Sequence, residues 1–356
     1  MENAQQKDCI IAYDDQILVT GATGFIGSRV VQTLLEKGFR RIRCFARSSN
    51  ESGKVASFLG RQQDPRVQVH RGNLLSREDC LAATEGVAVV FHLAAGRGEK
   101  SYPEAFMNSV VTTRNLLEAC LQHRRLQRFV NVGSFTVYAN TQKGRGAVLD
   151  ENSPVESRPE LRGEAYCFAK AKQDELVIEY ANKHGIPYVI IRPGVVYGPG
   201  KVTITGRVGI DTFGIFLHLG GSNPIPFTYV DNCAEAIVLA GLKAGVDREV
   251  FNVMDDDLPT SREFLRSYKR QVKSFRSLYL PPFASYGLCY IWEQYSRWSE
   301  EQLPPVFNVR RWRAFWKKAQ YSNQKLKTRV GWAPRIPTAE GFRRYFEACR
   351  AETDNA

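Results

Sequence analysis

Short apolar runs alternate with longer amphipathic stretches over the first 200 residues, and this rhythm predicts strands and helices in turn. The run Ile17-Leu-Val-Thr20 reads as a buried strand, and the periodic segment that ends at Gly38 reads as the helix after it. Phe91-His-Leu-Ala-Ala95 and Val189-Ile-Ile-Arg-Pro-Gly194 have strand length too, the second closed by a Pro-Gly turn. Strands alternating with helices form a parallel sheet covered on both faces, so the expected fold class is α/β, a doubly wound parallel sheet. Further on, Asp231 to Leu242 predicts a helix returning to the core and Glu249-Val-Phe-Asn-Val253 another strand. Thr260-Ser-Arg-Glu263 is a capping box, which starts a helix because the Thr and Glu side chains satisfy each other's backbone N–H groups.

Between the first strand and the first helix lies Gly21-Ala-Thr23-Gly24-Phe25-Ile26-Gly27. Strand, tight glycine turn and helix together make a pyrophosphate site. Gly21 permits the turn, Gly24 lets the backbone approach the phosphates, and Gly27 lets the helix pack closely, with its positive end facing the charge. Thr23, Phe25 and Ile26 complete this candidate cofactor loop. An acid about 20 residues further on would bind the adenosine ribose. Arg47 stands there instead, followed by Ser48 and Ser49, and its planar fork suits a ribose 2′-phosphate, which favours NADP over NAD. Leu93, Ala94 and Ala95 end a buried strand with small residues that let the backbone approach the cofactor; His92 reads as a core residue.

Tyr166-Cys-Phe-Ala-Lys170 supplies candidate acid/base chemistry. On a helix, i and i+4 share a face about 5–6 Å apart at Cβ. A phenol with an ordinary pKa of about 10 is a poor base at neutral pH, and a neighbouring ammonium favours its ionised form.

Seven ordered segments carry a resemblance: Thr20 to Gly27, Phe91 to Ala95, Val110 to Cys120, Phe129 to Ser134, Tyr166 to Lys170, Arg192 to Pro199 and Tyr229 to Asn232. The chain resembles the extended short-chain dehydrogenases/reductases, which include the NAD-dependent epimerase/dehydratase enzymes. The resemblance implies a Rossmann sheet and a catalytic set of Ser134, Tyr166 and Lys170. Ser134 would hydrogen-bond the substrate oxygen, with Thr136 in reserve, and Tyr166 would pass the proton. Lys170 would hold the nicotinamide ribose and lower the tyrosine pKa, so Tyr166 and Lys170 also count as cofactor contacts. Pro193 and Val196 would lie beside the nicotinamide, Asn73 and Leu74 near the adenine. The pattern departs from the family at Asn73, where an Asp is usual, and at Asn108, Ser109 and Thr112, where an Asn-Val-x-Gly-Thr motif is usual. A homodimer through the two long core helices is also implied.

The expected organisation is a polar tail over 1–15, a dinucleotide-binding unit over 16–200 rejoined by 231–254, and a substrate region over 201–230 and 255–350. That region should be smaller and mostly helical. The glycine-rich stretch 201–226, with apolar Phe213 to Leu219, is expected in the substrate pocket, and Arg145 to Arg162 as a surface loop at its rim. Asn223 to Asn232 is similar to the 3β-hydroxysteroid dehydrogenase and dihydroflavonol reductase branches and lacks the arginine of nucleotide-sugar members. This favours a secondary alcohol/ketone pair on an apolar or polycyclic small-molecule substrate. Arg207 keeps open a nucleotide-sugar epimerase or dehydratase with retained NAD, and a dinucleotide-sensing protein without turnover is the other alternative.

Composition adds limits. With 356 residues, 43% hydrophobic and 24% charged, the chain can bury one large core with a smaller appended region. Eight cysteines without Cys-x-x-Cys pairs read as reduced thiols, with no metal site or disulfide framework. Met1 to Asp15 lacks signal-peptide features, so a cytoplasmic location is expected. The net charge is +12, with the run Arg310-Arg-Trp-Arg-Ala-Phe-Trp-Lys-Lys318. It reads as a solvated helix face with its tryptophans toward the core, since no nucleic-acid fold signature accompanies it. Leu278 to Trp292 is apolar, yet Pro281-Pro282 interrupts it and a bilayer needs roughly 20 residues. It is expected to wall a pocket, with a lipid-facing mouth and peripheral membrane contact as the alternative.

Overall fold

A computed structural model describes residues 8–47, 64–96, 101–142, 147–201, 203–212, 214–300, 302 and 307–354. Seven strands form the central sheet: β1 (Gln16–Thr20), β2 (Ile42–Ala46), β3 (Val67–Arg71), β4 (Val87–His92), β5 (Arg128–Val132), β6 (Tyr188–Pro193) and β7 (Glu249–Val253). Their order is β7-β6-β5-β4-β1-β2-β3, and every pairing is parallel. Strand order reverses between β1 and β4, and the crevice at such a reversal is where doubly wound sheets bind ligands.

The continuous apolar runs follow from burial on both faces. Every residue of β1, β4, β5 and β6 is buried, and alternate side chains enter opposite layers. Ile17 and Val19 join Val30, Val31 and Leu34 of α1 (Gly27–Glu36), while Leu18 faces the other layer. That second layer contains Cys80 and Ala83 of α2 (Arg77–Thr84), Leu116 and Leu117 of α3 (Thr112–His123), and Leu176 and Val177 of α4 (Ala165–His184). The expected returning helix is α5 (Val230–Leu242), and it packs in the layer of α1. Residues 8–15 run beside its end: the Ile10 N–H donates to the Leu242 carbonyl at 3.0 Å and Ile11 is buried.

The C-terminal part is mainly helical: α6 (Ser261–Gln271), α7 (Pro282–Trp298), α8 (Val309–Phe315), α9 (Gln324–Val330) and α10 (Thr338–Asp354). The capping box of α6 is formed by Thr260 and Glu263. Phe264 and Leu265 of α6 and Tyr345 and Phe346 of α10 belong to the same apolar cluster as β1 and α1. Strands Gly209–Thr212 and Ile215–His218 pair antiparallel, and Ser277–Tyr279 joins them in a small sheet. Phe213 lies outside the described residues.

Two local expectations change. Arg145 lies outside the described residues, but Arg162, expected in a surface loop, is fully buried. Its guanidinium donates to the Thr136 carbonyl and, at 3.0 Å, to the Tyr138 carbonyl, which ties the loop to the turn after β5. In the stretch Leu278 to Trp292, expected to wall a pocket, α7 buries Ser285, Cys289 and Ser296 and turns most of its large apolar residues outward. Small residues on its inner side admit α8 closely, where Trp312 Nε1 donates to Ser285 Oγ at 3.0 Å. In α8 and beyond, Trp316 is buried and Arg313 and Lys318 are exposed as expected, but Arg310 and Arg311 are half-buried and pair with Glu156 and Glu164, and Lys317 Nζ donates to the Asn140 carbonyl at 3.0 Å, so the basic run is only partly a solvated face. Among the described residues, no helix is long and apolar enough to cross a membrane.

Candidate functional site

The glycine loop after β1 is shaped by close backbone contact. Gly21 has φ +68°, and a Cβ there would stand 2.8 Å from the Ala94 nitrogen. A side chain would therefore be both strained and sterically blocked. The Gly24 N–H donates to the Gly21 carbonyl at 2.9 Å, and a Cβ on Gly27 would overlap that same oxygen. Gly27 thus packs on the loop at the start of α1. No side chain caps α1 and its first turn carries no acid, so the positive helix end faces the loop uncompensated. This cradle fits a dinucleotide pyrophosphate, with the backbone of Gly21 to Gly27, Thr23 included, as its wall. Phe25 lies beneath the turn after strand Val195–Tyr197: Lys201 Nζ is 6.0 Å from its ring and donates to the Val196 carbonyl at 2.9 Å. Ile26 is buried behind the loop. Leu93 and Ala94 thus meet Gly21 at the carboxyl end of β4, while Pro193 ends β6 and Val196 lies on the short strand after it.

Arg47 follows the last residue of β2, and Ala46 pairs with Arg71 of β3, so two arginines mark adjacent strand ends. Sequence reasoning singled out only the first. Ser48 and Ser49 lie outside the described residues. Asn73 closes its own turn, its Oδ1 accepting from the Leu75 N–H at 3.0 Å. Asn115 of α3 pins this loop by donating to the Leu74 and Leu75 carbonyls, both at 3.0 Å.

Ser134 lies two residues beyond β5, and its Oγ accepts from the Thr136 N–H at 3.2 Å, capping the turn Phe135–Val137. The start of α4 is seated on this turn, since Cys167 Sγ donates to the Thr136 carbonyl at 3.0 Å. Tyr166, half-buried, is in the first turn of α4, and Lys170 follows one turn later on the same face. Lys170 is buried, and its Nζ donates to the Val132 carbonyl at 2.7 Å and to Gln173 Oε1 at 2.8 Å. The three candidate catalytic residues therefore converge at the carboxyl end of β5. Thr136, the reserve donor, has a buried Oγ1 with no hydrogen-bond partner among the described residues.

Behind Lys170 runs a buried relay whose members lie on separate elements. The Thr113 hydroxyl donates to the Ser109 carbonyl at 2.6 Å. Its oxygen must then accept from Gln173 Nε2 and from His92 Nε2, each at 2.8 Å. With its proton on Nε2, His92 accepts at Nδ1 from the Thr20 hydroxyl at 2.8 Å, and Thr20 Oγ1 accepts from the Ala94 N–H at 3.2 Å. Burial, helped by the Lys170 charge, pushes the His92 pKa down to about 3, so the imidazole is neutral. The relay joins the strand before the glycine loop to the Lys170 ammonium. The segment that departs from the family motif adopts a π-helical turn, Phe106–Val111, where the Ser109 carbonyl also accepts from Thr112 Oγ1 at 3.0 Å. Such turns replace the regular hydrogen-bond ladder and often mark functional sites.

A buried ion pair supports the same strand ends. Arg192 Nε donates to Asp174 Oδ2 at 3.0 Å, and Asn131 Nδ2 donates to Asp174 Oδ1 at 2.8 Å. Burial raises the Asp174 pKa, and the Arg192 charge opposes the rise. Gly133 is required beside it, since a Cβ there would stand 2.8 Å from Asp174 Oδ1. In the segment after β6, Arg207 is buried; its guanidinium donates to the Ala314 carbonyl at 3.1 Å and lies 5.2 Å from the Phe315 ring.

Known proteins resemble this chain in sequence and fold. The NAD dependent epimerase/dehydratase family matches residues 17–253. The chain is 30% identical over 252 residues to an uncharacterized UDP-glucose epimerase, YtcB, of Bacillus subtilis (strain 168), covering 67% of this chain and 76% of that one. It is 24% identical over 353 residues to 3beta-hydroxysteroid-dehydrogenase/decarboxylase isoform 1 of Arabidopsis thaliana, covering 93% of this chain and 79% of that one. Its fold is similar to the UDP-glucuronic acid 4-epimerase of Bacillus cereus solved with NAD, at TM-score 0.69 and 21% identity, covering 95% of this chain and 99% of that one. The chain belongs to the NAD-dependent epimerase/dehydratase family of extended short-chain dehydrogenases/reductases, enzymes that work with a nicotinamide dinucleotide.

Proposed function

We propose that this enzyme interconverts a secondary alcohol and a ketone by hydride transfer, with NADP(H) as the favoured coenzyme and an apolar or polycyclic small molecule as substrate. The observation that carries the reading is Lys170, anchored between the Val132 carbonyl and Gln173, one helical turn from Tyr166 and beside the Ser134 turn. Bound nicotinamide would supply or take up the hydride. In the reducing direction Tyr166 Oη donates its proton to the developing alkoxide, and the Lys170 ammonium stabilises the tyrosinate left behind. Ser134 Oγ already accepts a backbone N–H, so its own proton is directed to the substrate oxygen. Thr136 Oγ1, buried without a protein partner among the described residues, is a second donor to substrate. Arg47 and Arg71 at neighbouring strand ends suit a 2′-phosphate. A homodimer through α3 and α4 completes the proposal.

The runner-up reading is a nucleotide-sugar epimerase or dehydratase, favoured by the likeness to YtcB. The seat of Arg207 on the Ala314 carbonyl and the Phe315 ring speaks for a packing role over a diphosphate clamp. Mass spectrometry of the small molecules released on denaturing the purified protein, followed by titration of the emptied protein with NADPH and NADH, separates the two. An empty site that prefers NADPH is expected. Near-stoichiometric retained NAD(H) would overturn the proposal in favour of a cycle that regenerates its own cofactor.

A further inference from the structure

Helix α7 is amphipathic in the wrong sense for a soluble core. Its buried positions are Ser285, Cys289 and Ser296, spaced by four and seven residues on one side. Phe283, Leu288, Tyr290, Ile291, Tyr295 and Trp298 are exposed instead, Phe283 and Trp298 at 79% each. The preceding strand extends this surface, since all of Ser277–Tyr279 is exposed. A contiguous aromatic and aliphatic surface of this kind marks an interaction site.

The charge around it says what the partner is. Residues 262–298, from α6 to the end of α7, contain seven Lys and Arg against two Asp and Glu. Contacts place two of these cations beside the exposed strand: Arg262 stacks 5.1 Å from the Tyr279 ring and Lys269 Nζ donates to Ser277 Oγ at 2.6 Å. Arg276 is exposed immediately before the strand, and Arg297, paired with Glu293, lies on α7 itself. Tyrosine and tryptophan with an apolar body and a polar edge, rimmed by Lys and Arg, match the boundary between lipid headgroups and acyl chains. We infer that α7 and strand Ser277–Tyr279 dock this protein on an anionic lipid surface. The helix lies in the interface plane, with Phe283, Ile291 and Trp298 below the headgroups and Lys273 and Arg276 among the lipid phosphates. A second copy of the chain fits the surface less well, because pairing the face with itself brings these cations together.

Co-sedimentation of the full chain with vesicles tests this without cofactor or turnover, so its outcome is independent of the redox assignment. Vesicles of phosphatidylcholine with about one-third phosphatidylserine should bind about tenfold more tightly than pure phosphatidylcholine, and added salt should weaken the binding. The triple substitution Phe283→Ser, Ile291→Ser, Trp298→Ser removes exposed side chains and should abolish binding with the melting temperature retained. Lys273→Glu with Arg276→Glu should weaken binding to the anionic vesicles alone. Failure to bind either vesicle, or equal binding by wild type and the triple variant, overturns the inference. So does dimerisation in sedimentation velocity that the triple variant loses while neither protein binds vesicles, which would assign the face to self-association.

Discussion

At the scale of single residues, the site separates groups that a motif can reveal from groups that only contact reveals. Tyr166, Lys170 and Ser134 could be singled out as candidates from sequence because their spacing and order are themselves the signal. Tyr166→Phe should lower kcat by about 10²–10⁴-fold with coenzyme binding intact, the usual range for removing a positioned general acid. Unchanged turnover would remove Tyr166 from the chemistry. Arg47→Asp should raise the Kd for NADPH far more than that for NADH, since only NADPH has the 2′-phosphate; equal losses would end the 2′-phosphate assignment. His92, Thr113 and Gln173 were not legible as a unit, because 21 residues separate the first pair and 60 the second. His92 also makes a pH prediction. Its folded pKa, about 3, is depressed below the unfolded value by burial. Its contribution is therefore fully present above about pH 6.5 and lost as pH falls toward 3, at about 1.4 kcal/mol per pH unit between them. Denaturant melts between pH 7 and 5 should fall less steeply for His92→Gln than for wild type. Parallel slopes would show that the imidazole is not kept neutral.

At the scale of elements, apolar runs located most of what matters. β1, β4 and β6 were readable because burial on both faces leaves no polar alternation to interpret. The capping box of α6 was readable because it is a local reciprocal hydrogen bond. The π-turn before α3 was not, since Phe106–Val111 has ordinary helix-forming chemistry and its widening is set by what Ser109 and Thr113 meet across the site. The outward face of α7 was not legible for a related reason: apolar content does not say which side of a helix its neighbours will cover. The buried pair Asp174–Arg192 joins α4 to β6 under the Ser134 turn. Asp174→Ala leaves the Arg192 charge buried without its carboxylate, and should cost about 3–5 kcal/mol of unfolding free energy in urea melts. A loss below 1 kcal/mol would mean that water or another group compensates Arg192.

At the scale of the whole molecule, one apolar cluster runs from β1 and α1 through the aromatic residues of α6 and α10. Tyr197 stacks on Phe342 at 4.4 Å, binding the strand beyond β6 to the last helix. Thermal unfolding should accordingly show one transition, raised as a unit by NADPH and by about 2.7 kcal/mol at one hundred times its Kd. Two transitions, only one of them coenzyme-sensitive, would show that the C-terminal region folds apart from the sheet. By itself the sequence determined the layered α/β class, the glycine turn, the Tyr-Lys pair and the excess of basic charge. These depend on periodicity, on residues with special backbone freedom, and on spacing within single elements. Tertiary structure alone decided which side of α7 meets solvent, which arginine joins Arg47, and how His92, Thr113 and Gln173 hold Lys170. Each of those outcomes is a contact between elements far apart in the chain, and its energy comes from burial and hydrogen-bond partners that exist only after the layers have packed.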